Sequence, residues 1–82
     1  MRRGRRILRR ALLIDEARTH REMQAQYEQI RAEIERCHPG GRIPVSHPDF
    51  GSLATLRYGI GYRRQRAEWC EWLAAAMSTD AV

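Results

Sequence analysis

Six arginines fall within the first ten residues: Arg2, Arg3, Arg5, Arg6, Arg9 and Arg10. A guanidinium group is planar, permanently charged and forked, which suits it to phosphate and carboxylate oxygens. Arg63 and Arg64, with Arg66 close behind, form a second basic cluster. The six arginines of the arm, with Arg63 and Arg64, are the candidates for neutralising nucleic-acid phosphates, each contact releasing counterions. No aromatic side chain is interleaved with the N-terminal arginines, which argues against stacking on single-stranded bases. The central loop is too long for the turn of a helix-turn-helix. Any nucleic-acid binding is therefore expected to be nonspecific. A solvated helix start and an acidic protein partner are the competing readings of the arm. The first is disfavoured because cations at a helix N-terminus oppose its dipole. Arg64 has its own bland alternative, an i,i+4 pair with Glu68.

Other reactive residue types are sparse. Cys37, His38, His47 and Asp49 surround a loop, but adjacent Cys37 and His38 point about 100° apart on a helix and no zinc spacing is matched, so no metal site is expected. Nothing resembles a nucleophile with its base or a phosphate-cradling loop, and 82 residues leave little chain for a pocket. These observations predict a protein that is not an enzyme, with no cofactor and no small-molecule substrate. His20 reads as a partly buried polar residue.

Charge is concentrated at one end. Residues 1–21 hold eight arginines against Asp15 and Glu16, a net of 8 − 2 = +6. Residues 22–82 hold seven arginines against eight acids, a net of 7 − 8 = −1, so the overall +5 belongs to the N-terminal quarter. All basic residues are arginine, with no lysine and no asparagine, which reads first as GC-rich codon usage. Cys37 and Cys70 make no disulfide framework and are expected as free thiols in a reducing, cytoplasmic setting. No apolar run approaches a membrane span, and the stretch Ala11–Ile14 is too short for a secretory signal.

The elements that carry these residues are legible. Residues 5–37 lack Pro and Gly and are expected as one helix, continuous with the arm over 1–10. Met23, Tyr27, Ile30, Ile34 and Cys37 recur at steps of four and three, and the same face meets Leu12 and Leu8, so this stripe is the expected core seam. Ile7, Ala11 and Ile14 lie on the opposite side, which leaves two apolar faces at one helix end and predicts cover by another chain. Residues 38–46, with Pro39, Gly40, Gly41 and Pro44, are loop chemistry, with positive φ at Gly40 or Gly41. A second helix is expected over 47–78, capped by Ser46 with Asp49 and stapled by Val45 on Phe50. Leu53, Leu56 and Ile60 mark one face of it; Tyr62, Trp69, Leu73 and Ala76 mark another. Gly59 and Gly61 sit where the faces switch, and two helix-interior glycines predict a break or kink there, giving a third helix. The alternative is a straight helix whose glycines admit a close neighbour. Residues 79–82 are expected to be disordered.

Matched helix lengths and a short connection predict an all-α antiparallel helical hairpin. A lone two-helix hairpin buries only a narrow strip, so the fold is expected to be completed by a homo-oligomer or a larger assembly. Ile7, Ala11, Ile14, Tyr58, Tyr62, Trp69 and Trp72 are the expected protein-interface residues, with the tryptophans as anchors or core. The function expected is that of a small non-enzymatic binding protein, an oligomeric accessory factor whose arginine arm contacts nucleic acid or a nucleoprotein complex, with no role for a membrane. The alternative is a protein–protein interaction module, such as a phage-encoded inhibitor of a host complex or a minor subunit of a phage particle.

Overall fold

The computed structural model describes residues 2–79, with side chains from Gly4 to Ser78; the expectation for the C-terminal tail lies, from residue 80 on, outside the described residues. Helix α1 spans Arg2–Arg36 and helix α2 spans Pro48–Thr79. They pack antiparallel in a rod of 57 × 18 × 17 Å, and there is no strand among the described residues. No described helix is long and apolar enough to cross a membrane.

The helices meet along a heptad. On α1 a stripe of residues withdrawn from solvent runs through Arg10, Leu13, Ala17, His20, Gln24, Tyr27, Arg31 and Ile34 at alternating steps of three and four, with half-buried Arg21, Met23 and Glu28 flanking it. On α2 the facing stripe runs through Leu53, Leu56, Ile60, Arg63, Ala67, Cys70, Ala74 and Met77, again at steps of three and four, with half-buried Gly59, Arg66 and Leu73 beside it. An alternating 3–4 spacing keeps one stripe of each helix facing its neighbour over many turns. Contacts along the rod fix one antiparallel register. Arg10 Nε donates to the Ala74 carbonyl at 3.2 Å, Cys70 Sγ lies 3.6 Å from Glu16 Oε2, and Arg63 Nη1 lies 3.0 Å from His20 Nδ1.

This seam corrects the expected one. Tyr27 and Ile34 belong to it, but Ile30 is 46% exposed and Cys37 is exposed. The stripe through Leu8, Leu12 and Ile30 lies to one side of the seam and is exposed, with Met23 half-buried at its edge. The fully buried set is Ala17, Ile60, Ala67, Cys70 and Ala74, of which Ile60 alone is large. Small residues let the helices approach closely, but at about 0.8 kcal/mol per buried methylene they contribute little burial. Arg10, His20, Gln24, Arg31 and Arg63 occupy seam positions where a stable bundle would place leucine.

The expected break in the second helix does not occur: α2 is continuous through Gly59 and Gly61. Gly59 instead faces the Tyr27 ring, whose Cε2 and Cδ2 would lie 3.2 and 3.3 Å from a Cβ at that position. The glycine admits an aromatic ring from α1. Gly61 has open space around it.

In the loop both glycines take positive φ, 91° at Gly40 and 73° at Gly41, and they reverse the chain after α1. The cap of α2 also differs from expectation. The Asp49 N–H donates to His47 Nδ1 at 3.0 Å, so His47 rather than Ser46 caps the helix, and Pro48 takes the first helical position. Val45 is 78% exposed and Phe50 38% exposed, so the staple does not close. A one-residue shift of the cap turns both side chains away from each other.

Candidate interaction surface

Large apolar side chains lie mostly outside the seam. Ile7, Leu8, Leu12, Ile14 and Ile30 are exposed on α1, and Phe50, Tyr58, Tyr62, Trp69 and Trp72 on α2. They are not scattered. Leu12 and Ile30 are separated by about five full turns and share an angular position, with Leu8 one turn before Leu12 and Met23 close to the same line. On α2, Tyr58, Tyr62, Trp69 and Leu73 follow at steps of four, seven and four, forming one stripe. Leu12, Leu13, Leu73 and Met77 line a shallow groove between the helices, with Arg9 and Glu16 at its rim. This groove joins the two stripes into one broad face along the Arg-rich half of the hairpin. A second groove, lined by Ile30, Ile34, Thr55 and Leu56, extends the face toward the loop.

Polar groups are set into the middle of that face. The Tyr62 ring meets His20 edge-on at 6.3 Å, and the Arg63 and Arg66 guanidinium carbons lie 5.5 and 5.6 Å from the Tyr62 and Trp69 ring centres. Burial, followed by the charges of Arg63 and Arg66, pushes the His20 imidazole below its usual value. Arg66 Nε is buried without a hydrogen-bond partner among the described residues. A buried unsatisfied donor costs roughly 1–3 kcal/mol, so this side chain has an acceptor position to fill. Burial and the neighbouring Glu16 carboxylate raise the Cys70 thiol, which stays protonated and inert.

The arginine end is built differently. Arg5, Arg6 and Arg9 are exposed and cluster beside Met77, near the C-terminus of α2; Arg10 is half-buried against the Ala74 carbonyl. The antiparallel packing therefore brings cations at the start of α1 to the negative end of the α2 dipole. The dipole argument that disfavoured a purely structural arm applies to α1 in isolation. In the hairpin, part of the arm is stabilising. The side chains of Arg2 and Arg3 lie outside the described residues.

Residues 4–78 match the family described as Virulence activator alpha C-term. The chain belongs to this family. No curated protein and no solved structure matches it. The residues expected at a protein interface fall into two groups. Ile7, Ala11 and Ile14 on α1 and Trp72 on α2 are exposed on the outward sides of their helices, whereas Tyr58, Tyr62 and Trp69 belong to the broad face. Neither tryptophan is core within one chain: Trp69 is 47% and Trp72 62% exposed. Arg63 is half-buried on His20, so of the second cluster Arg64 is the arginine left exposed; no ion pair joins it to Glu68 among the described residues. Leu8, Leu12, Met23, Ile30, Leu73 and Met77 lie on or beside the broad face without being among the interface residues expected from sequence. Their spacing was visible, but it reads equally as an intramolecular seam.

Proposed function

We propose that this hairpin is the self-associating helical part of a regulatory protein, in which the broad face of one copy packs on that of another to complete a helical bundle. The observation that carries the reading is where the large apolar side chains lie: the buried centre of the seam is mostly alanine and cysteine with polar residues between, while Leu8, Leu12, Tyr62 and Trp69 stand exposed outside it. Contiguous apolar area on this scale marks association sites. The family description names the C-terminal portion of an activator, which fits an assembly role beside other functional parts. The reading is of a binding protein rather than an enzyme, in a reducing cytoplasmic setting that suits two free thiols. Thermal unfolding tests it: the midpoint should rise with protein concentration. In the double variant Leu12→Asp, Trp69→Asp the midpoint should be concentration-independent and lower. A parent midpoint that ignores concentration contradicts the reading.

Exposed Arg5, Arg6 and Arg9 favour a second contact, with nucleic acid held through its phosphates. Titration of fluorescent duplex DNA at two salt concentrations should give binding that falls steeply with salt and is lost on deleting residues 2–10. Salt-insensitive binding, or binding that survives the deletion, removes the arm from this role.

A further inference from the structure

The loop end carries a cluster that the association of the broad face does not use. His38 follows the last turn of α1, His47 caps α2 and Asp49 lies in its first turn. The two positive-φ glycines fold the intervening chain back, and the Gly41 N–H donates to the His38 carbonyl at 3.0 Å. His38 Nε2 comes to 2.7 Å from Asp49 Oδ2, and His47 Nδ1 to 3.9 Å from the same oxygen. The two imidazole rings stand edge to face with centres 4.8 Å apart. One donor atom from each residue lies within 4.8 Å of the others. The His38 side chain is 16% exposed, His47 42% and Asp49 38%, so the cluster is held by the fold yet open on one side.

We propose that His38, His47 and Asp49 bind a divalent transition-metal ion of the zinc type. Two imidazole nitrogens and one carboxylate oxygen are donors that zinc accepts, and a fourth position open to water completes a tetrahedron. Metal–ligand bonds of roughly 2.0–2.1 Å place tetrahedral donors about 3.3 Å apart. The two separations from Asp49 Oδ2, 2.7 and 3.9 Å, straddle that value and no pair of donors lies beyond 4.8 Å, so rotation of the side chains would bring all three onto one ion. His47 can present Nδ1 by releasing the Asp49 N–H, or turn its ring and present Nε2. The ion would join the end of α1 to the start of α2 and clip the hairpin closed. The spacing of these residues matches no zinc motif, which is why no metal site was expected; the loop path is what brings His38, His47 and Asp49 together.

The test uses the untagged full chain, freed of metal, titrated with zinc by calorimetry and with cobalt(II) by visible absorption. One saturable site per chain is expected, with a rise in Tm and the absorption bands of low-coordinate cobalt. His47→Asn keeps an N-capping side chain and removes the imidazole. That variant, His38→Gln and Asp49→Asn should each weaken zinc affinity about tenfold or more while the metal-free helical signal is unchanged. Cys37→Ser should bind zinc as the parent does. Absence of saturable zinc uptake, uptake indifferent to both His38→Gln and His47→Asn, or loss of uptake in Cys37→Ser would overturn the assignment.

Discussion

The seam between the helices and the broad face beside it differ in a way that inverts the usual order of a small domain. Inside, Ala17, Ala67, Cys70 and Ala74 are buried against one another's helices, with His20, Gln24 and Arg31 at half-buried seam positions. Outside, Leu8 is 66% exposed, Leu12 65% and Trp69 47%. Burying a leucine or phenylalanine side chain stabilises by about 1.5–3 kcal/mol, so these exposed side chains hold stabilisation that one hairpin does not use. The difference teaches that an apolar stripe at helical spacing identifies a face to be buried without naming what buries it.

Substitutions that act on one side of this comparison sharpen it. The largest effect in the seam is expected from Ala67→Leu. Ala67 is fully buried where the helices approach closely, and overpacking there should destabilise by about 1–3 kcal/mol in chemical denaturation. A loss below that range would mean that the helices part easily and the seam is not tightly packed.

The paired glycines come next. Gly61→Ala meets nothing within 4 Å and should stabilise by up to about 1 kcal/mol through helix propensity alone. Gly59→Ala offers the same propensity but drives a Cβ to 3.2 Å from the Tyr27 ring, so its gain should be smaller or reversed. Equal gains in the two melting curves would show that Tyr27 does not pack on Gly59.

Smaller effects follow pH. His20 is held below its ordinary value by burial and then by Arg63 and Arg66. The unfolded chain therefore takes up a proton at this residue before the folded one does. Stability should decline as pH falls through about 6.5, and His20→Gln should flatten that slope. Glu71 shifts in a different window. Its hydrogen bonds from Arg21, at 2.8 and 3.2 Å, lower its pKa, so its contribution is present above about 4.5 and lost as pH falls further. Both side chains of that pair are nearly half exposed, which limits it to well under about 1 kcal/mol.

Much of the fold was legible in the residues. A stretch without proline or glycine, a Pro-Gly-Gly bend and a second helical stretch dictate two helices of similar length with a tight return. What was not legible follows from the same physics. Met23, Ile30 and Leu12 form a better apolar stripe than Leu13, Ala17 and Gln24, so periodicity points to the outward face. Gly59 and Gly61 read as a break because propensity sees the cost of glycine and not the Tyr27 ring that needs the space. Ser46 resembles a cap by type, yet the loop path delivers His47 to that position. The arginine arm was clear as a charge cluster, but its support from the C-terminal end of α2 exists only once the helices run antiparallel.

The central claim is that a second copy covers the broad face, and sedimentation equilibrium over a series of concentrations measures this directly. The account predicts a mass at least twice the 9.6 kDa chain, falling to the single-chain value in Leu12→Asp, Trp69→Asp. A 9.6 kDa particle at every concentration, with full helical signal and cooperative unfolding, would contradict it.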